Sequence, residues 1–120
     1  MKNIKMGLIR GRHEMPVDLY ILEKDVADPA DIMAIEQDVA ERLGEVFEPY
    51  MGFGTVNVPS AIEYVDVPVR KCVGARLDLY VTGLTAVTLA AVNYCHTHHI
   101  PVTAWHYNRA TGEYVKQEIS

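Results

Sequence analysis

Hydrophobic and polar positions along the chain divide it into short segments. "IKMGLIR", residues 4–10, predicts a strand. "VDLYILE", residues 17–23, predicts a second, with Val17, Leu19 and Ile21 at every other position. Between them "RGRHEMP" holds Gly11, which permits a turn, and Pro16, which has no N–H to give a ladder. A hairpin with a long polar tip is expected. "DPADIMAIEQDVAERLGEVFEPY", residues 28–50, has the grammar of a helix. Asp28 suits the N-cap and Pro29 the first turn. Ile32, Ile35, Val39, Leu43 and Val46 or Phe47 recur at three- and four-residue spacing and form one apolar stripe. Asp31, Glu36, Asp38, Glu41, Arg42 and Glu45 fill the other face, which reads as solvated rather than as a metal site. Pro49 ends the helix.

"MGFGTVNVPS", residues 51–60, carries two glycines and a proline and reads as a loop anchored by Phe53. "AIEYVDVPV", residues 61–69, reads as a strand, with Pro68 marking an edge or an end. "RKCVGAR" concentrates basic residues in what is either a solvated turn or a cationic patch. Residues 77–81 form a short apolar strand interrupted by Asp78. Residues 86–95 are apolar nearly all round the helix, so this helix is buried on more than one side or lies in a subunit interface. A strand over 100–107, a turn at 108–112 and a last strand from Glu113 complete the chain. The central unit is therefore strand, "TGLT", helix, strand. A parallel pair joined by a crossover helix is the expected arrangement.

Composition adds limits. The chain has 120 residues, enough for one domain with a single core. The formal charge of −5 argues against a general binder of long nucleic acid, which needs a broad basic surface, but leaves room for a small anion in a local basic pocket. No apolar run approaches the length of a membrane span, and the apolar patch at 6–9 is too short for a signal peptide, so a cytoplasmic protein is expected. Cys72 and Cys95 form no CxxC and read as reduced, buried thiols.

The "TGLT" segment, Thr82, Gly83, Leu84 and Thr85, falls where open α/β sheets bind ligands, beyond the carboxyl end of a strand. Gly83 allows a tight turn and close approach. Thr82 or Thr85 can cap the helix, and the first-turn N–H groups favour a phosphate or another anion. Walker and dinucleotide fingerprints are both absent. "CHTHH", residues 95–99, places Cys95, His98 and His99 at helical spacing, but no fourth ligand has a suitable position, so no metal or cofactor is expected.

"DLYVTGLTAVTLAAVNYCHTHHIPVTAWHYNRATGEYV" resembles the C-terminal half of the CRISPR-associated Rossmann-fold (CARF) domains. There, too, a strand runs into a Thr/Gly-rich loop and an alanine-rich helix, and the next strand leads to a "TGE" turn. The match covers about residues 77–116. Small stand-alone ring nucleases are similar in size and in their "GLT"-like loop. The resemblance implies a single α/β domain over 1–120, Rossmann-like and three-layered, with a largely parallel sheet and two main helices. It also implies binding of cyclic oligoadenylate and its cleavage by 2′-OH attack, switching off type III CRISPR signalling. A non-catalytic sensor and a structural protein of the same fold are the alternatives. A homodimer would suit a symmetric cyclic ligand. The chain departs from the family at Ala86, where many members carry Lys or Arg. Cationic help must then come from elsewhere, and Arg10 and Arg12, flanking Gly11, are the first candidates. His13 or His106 is placed for acid–base work near neutral pH. Trp105 and Tyr107 alternate with His106, one to stack on adenine or both to pack in the core or a dimer contact, and Gly11 and Asn108 are expected at the ligand with the "TGLT" residues.

Overall fold

The computed structural model describes residues 1–11 and 15–119. A five-stranded sheet runs in the order β2 (Leu19–Leu22), β1 (Lys2–Ile9), β5 (Ala75–Val81), β6 (Val102–Asn108), β7 (Glu113–Glu118). The first four strands are mutually parallel, and β7 returns antiparallel to β6. Two helices, α1 (Ile32–Phe47) and α2 (Thr85–Thr97), pack against each other and share one core with the sheet, so both lie on one of its faces. The fold is thus mixed α/β, with a mostly parallel sheet and two helices. A separate two-stranded ribbon, β3 (Met51–Pro59) with β4 (Tyr64–Cys72), leaves the body between α1 and β5.

Period-two burial builds the core from the sheet side. Ile4, Met6 and Leu8 of β1 and Ala75, Leu77 and Leu79 of β5 are buried, opposite Val87, Ala91 and Cys95 of α2 and Ile35, Val39, Leu43 and Phe47 of α1. Each fully buried Leu or Ile contributes about 1.5–3 kcal/mol relative to exposure. Gly44 lets α1 approach α2: a Cβ there would stand 3.3 Å from the Tyr94 hydroxyl. The apolar girth of α2 is therefore mostly used inside the chain. Ala86, Ala90, Val92 and Tyr94 are partly buried against the core, while Leu89 is exposed.

Three sequence expectations are corrected. The first two strands do not form a hairpin: β1 and β2 are parallel, with Met6 opposite Leu19 and Ile9 opposite Leu22. On the helix-free face Met15 and the Tyr20 ring crowd the place a Cβ would take on Gly7. Helix α1 begins later than expected. Asp31 is its N-cap, accepting from Ala34 N at 3.1 Å, while Asp28 accepts from Ala30 N at 3.0 Å and closes the turn before it. Pro49 sits in the 3₁₀ turn Glu48–Tyr50 that follows. The predicted loop at 51–60 is a strand. Its alternating Val56 and Val58 face Val67 and Val65, and pairing runs from Met51 opposite Cys72 to Pro59 opposite Tyr64. The glycines and proline masked that period. Among the described residues no helix is long and apolar enough to cross a membrane.

Candidate functional site

Neighbours β1 and β5 are parallel, but the chain leaves β1 towards β2 and leaves β5 towards β6. The order reverses between them, which opens a crevice at their carboxyl ends. "TGLT" forms the β5 side of that crevice. Gly83 takes φ 84° and Leu84 takes φ 49°, so two successive residues are left-handed. A leucine held there costs roughly 1–3 kcal/mol, and such strain collects at functional sites. Leu84 is the N-cap of α2 and no side chain caps the helix. Neither Thr82 nor Thr85 therefore caps it as expected. Thr85 is already the first helical residue, and Thr88 donates backwards to Leu84 O and Gly83 O. The first-turn N–H groups are left for solvent or a ligand.

A cleft of about 670 Å³ opens beside this turn, lined by Val81, Thr82, Gly83, His106, Tyr107, Arg109 and Tyr114. The parallel register sets Val81 against His106, so His106 lies beside "TGLT" as the parallel arrangement required. Its Nε2 is 2.9 Å from the Gln117 side-chain oxygen, and the ring is exposed. Tyr107 and Tyr114 contact each other with ring centroids 5.5 Å apart. Tyr114 meets Tyr80 edge-on at 5.0 Å, and Tyr80 stacks on Trp105 at 6.0 Å. A continuous aromatic wall thus runs from the helix-free face to the cleft. Burial, then the neighbouring Tyr107, raises the Tyr114 phenol above its usual range.

Arg109 is the residue sequence reasoning missed. It rides on the turn after β6, which Asn108 organises: Gly112 N donates to Asn108 O at 2.8 Å and Ala110 N to its side-chain oxygen at 3.0 Å. Gly112, at φ 72°, closes the turn. Asn108 thus positions the arginine and does not itself line the cleft. The signal was available in "HYNRATGEY", a basic residue one step past a strand whose end lies beside "TGLT". Among the described lining residues Arg109 is the single permanent cation.

Arg10 and Gly11 stand at the carboxyl end of β1, on the far bank of the crevice. The Arg10 guanidinium does not line the cleft. It is bonded to Glu23, which follows β2, and lies 4.8 Å from the centroid of the Tyr20 ring. That hydrogen bond raises Arg10 and lowers Glu23 from their ordinary pKa values. Gly11, at φ 87°, has open space around it. Arg12 and His13 lie outside the described residues. In "CHTHH", Cys95 is buried in the core, His98 packs on the Tyr94 ring at 4.2 Å, and His99 is a left-handed residue at φ 56° after the helix. Among the described residues no three His, Cys, Asp or Glu side chains are grouped to hold a metal ion.

The chain matches no protein-family model, no curated protein and no solved structure.

Proposed function

We propose that the cleft binds cyclic oligoadenylate and that the protein linearises it by attack of a ribose 2′-OH on the adjacent phosphorus. The observation that carries this reading is the meeting of an uncapped helix N-terminus, Arg109, His106 and two tyrosines around one cleft at the carboxyl ends of β5 and β6. A phosphate set on Thr82–Thr85 would accept from the first-turn N–H groups, and Arg109 would take the opposite oxygens bidentately. Tyr107 offers a face for adenine. Holding the 2′-OH in line supplies much of the rate, and donors aimed at the phosphate oxygens stabilise the developing charge. His106 is the group placed to move a proton, either from the 2′-OH or to the leaving oxygen. Such a nuclease would end type III CRISPR signalling. With this reading goes a Rossmann-like three-layer architecture. Because both helices of the chain share one face, its third layer would come from outside the chain.

A second reading is a sensor that binds without cutting. It is favoured by the engagement of Arg10 with Glu23 and of His106 with Gln117, which among the described residues leaves Arg109 as the cation free to meet phosphate at the cleft. Incubation with labelled cyclic tri-, tetra- and hexa-adenylate, followed by chromatography, separates the two. Linear products ending in 2′,3′-cyclic phosphate are expected for the nuclease. Retention without turnover assigns the sensor, and no binding to any ring would refute both.

A further inference from the structure

The β3–β4 ribbon is the part of the molecule that its own fold leaves uncovered. Only its base joins the core, through Cys72 and the partly buried Met51. Beyond that base the two strands pack on each other, and an isolated two-stranded ribbon is at best marginally stable in water. Its two faces differ in kind. One mixes the aromatic Phe53 and Tyr64 with the polar and charged Asn57, Asp66 and Arg70. The other is a stripe of valines: Val56 opposite Val67, Val58 opposite Val65, and Val69 opposite Gly54. Val65 and Val67 are 40% and 36% exposed. At the base Val73, 44% exposed, reaches over Gly52 and lengthens the stripe.

The ribbon edges are closed to strand addition. Pro68 takes a donor from the β4 edge and Pro59 ends β3, so association by a further strand is disfavoured and the face remains. The charges at the two ends of the ribbon are opposite. The tip carries Glu63, held in a turn by Ser60, and the base carries Lys71, whose stem lies across Gly54 with its ammonium on Thr55 O.

We propose that the valine face packs on the same face of a second copy of this chain, two ribbons lying antiparallel about a two-fold axis near Val56 and Val67. This is an isologous contact, in which one patch is its own complement. A row of β-branched side chains, with Lys71 at its base end as its charged member, matches itself, and the antiparallel arrangement sets each Glu63 over the partner's Lys71 end. Ile62, 95% exposed at the tip, then meets the partner end where Val73 lies. The face is about 30 Å long and about 10 Å wide, so the two copies cover on the order of 600–800 Å² together, below the roughly 1,200–2,000 Å² of a tight complex. The dimer is accordingly a reversible one. It does not depend on what the cleft binds.

Sedimentation velocity over about 1–500 µM tests this, the range in which a weak, reversible contact populates both monomer and dimer. The mass is expected to rise from 13.4 kDa towards twice that value with concentration. Val67→Asp should abolish the rise and Val67→Thr, which keeps the strand-forming shape, should weaken it, with circular dichroism unchanged in both. Phe53→Ala, on the opposite face, should leave it intact. Carbodiimide should join Glu63 of one copy to Lys71 of the other and fail with Lys71→Arg. Within one ribbon those residues are about 27 Å apart and beyond a zero-length link. A mass that stays monomeric throughout, association indifferent to Val67→Asp, or association lost with Phe53→Ala alone would each overturn the proposal.

Discussion

Replacing Arg109 by Ala should weaken ligand binding far more than replacing Arg10, although Arg10 has the stronger claim in the sequence. Arg109 stands on the cleft beside Thr82 and Gly83. Arg10 already has a carboxylate partner in Glu23 and an aromatic one in Tyr20. A hydrogen bond to a charged group contributes about 1.5–3 kcal/mol, so losing the Arg109 contact corresponds to roughly a 10- to 150-fold rise in Kd. Arg109→Lys keeps the charge and loses the fork, and should fall between wild type and Arg109→Ala. Arg10→Ala should change Kd by less than about threefold, because exposed ion pairs of that kind contribute little and Glu23 retains Arg42 at 3.3 Å. Fluorescence anisotropy with labelled cyclic tetra-adenylate reads all three variants. Added salt should weaken the wild type more than Arg109→Ala, since screening acts on the contact that the variant lacks. An Arg109→Ala protein within twofold of wild type, together with an Arg10→Ala protein that no longer binds, would refute the assignment.

Two further outcomes follow from the fold. Gly83→Ala places a methyl in open space at φ 84°, so its cost is backbone strain of roughly 1 kcal/mol. A melting temperature lower by about 4 °C is expected, and an unchanged one would mean that the turn relaxes. Burial pushes the Cys95 thiol up to about 12 and raises Cys72 as well, so the folded chain holds these protons after the unfolded chain has released them. Stability is therefore expected to fall as pH rises from about 9 towards 12. Urea midpoints at increasing pH, with Cys95→Ala showing a shallower decline, check the sign, and an equal decline in both proteins would contradict it.

Local chemistry determined much of this protein in advance. Strands over 77–81, 100–107 and from Glu113 are present as expected, the first two because their runs are short and apolar and the last because it follows the turn at 108–112. The spacing of Ile35, Val39 and Leu43 dictates which face of α1 is buried. "TGLT" was legible as the turn between a strand and a helix. Its left-handed Leu84 was not, since leucine has no sequence preference that announces it. What the tertiary structure decided was pairing. Whether β1 meets β2 as a hairpin or in parallel depends on which other strands compete for its edges, and no window of sequence contains that competition. The same holds for the two arginines. Arg10 and Arg109 look alike as turn cations, but sheet order places Glu23 beside the first and the "TGLT" cleft beside the second. Secondary structure follows from neighbours along the chain. The site follows from neighbours across it, and those exist only once the strands have taken their order.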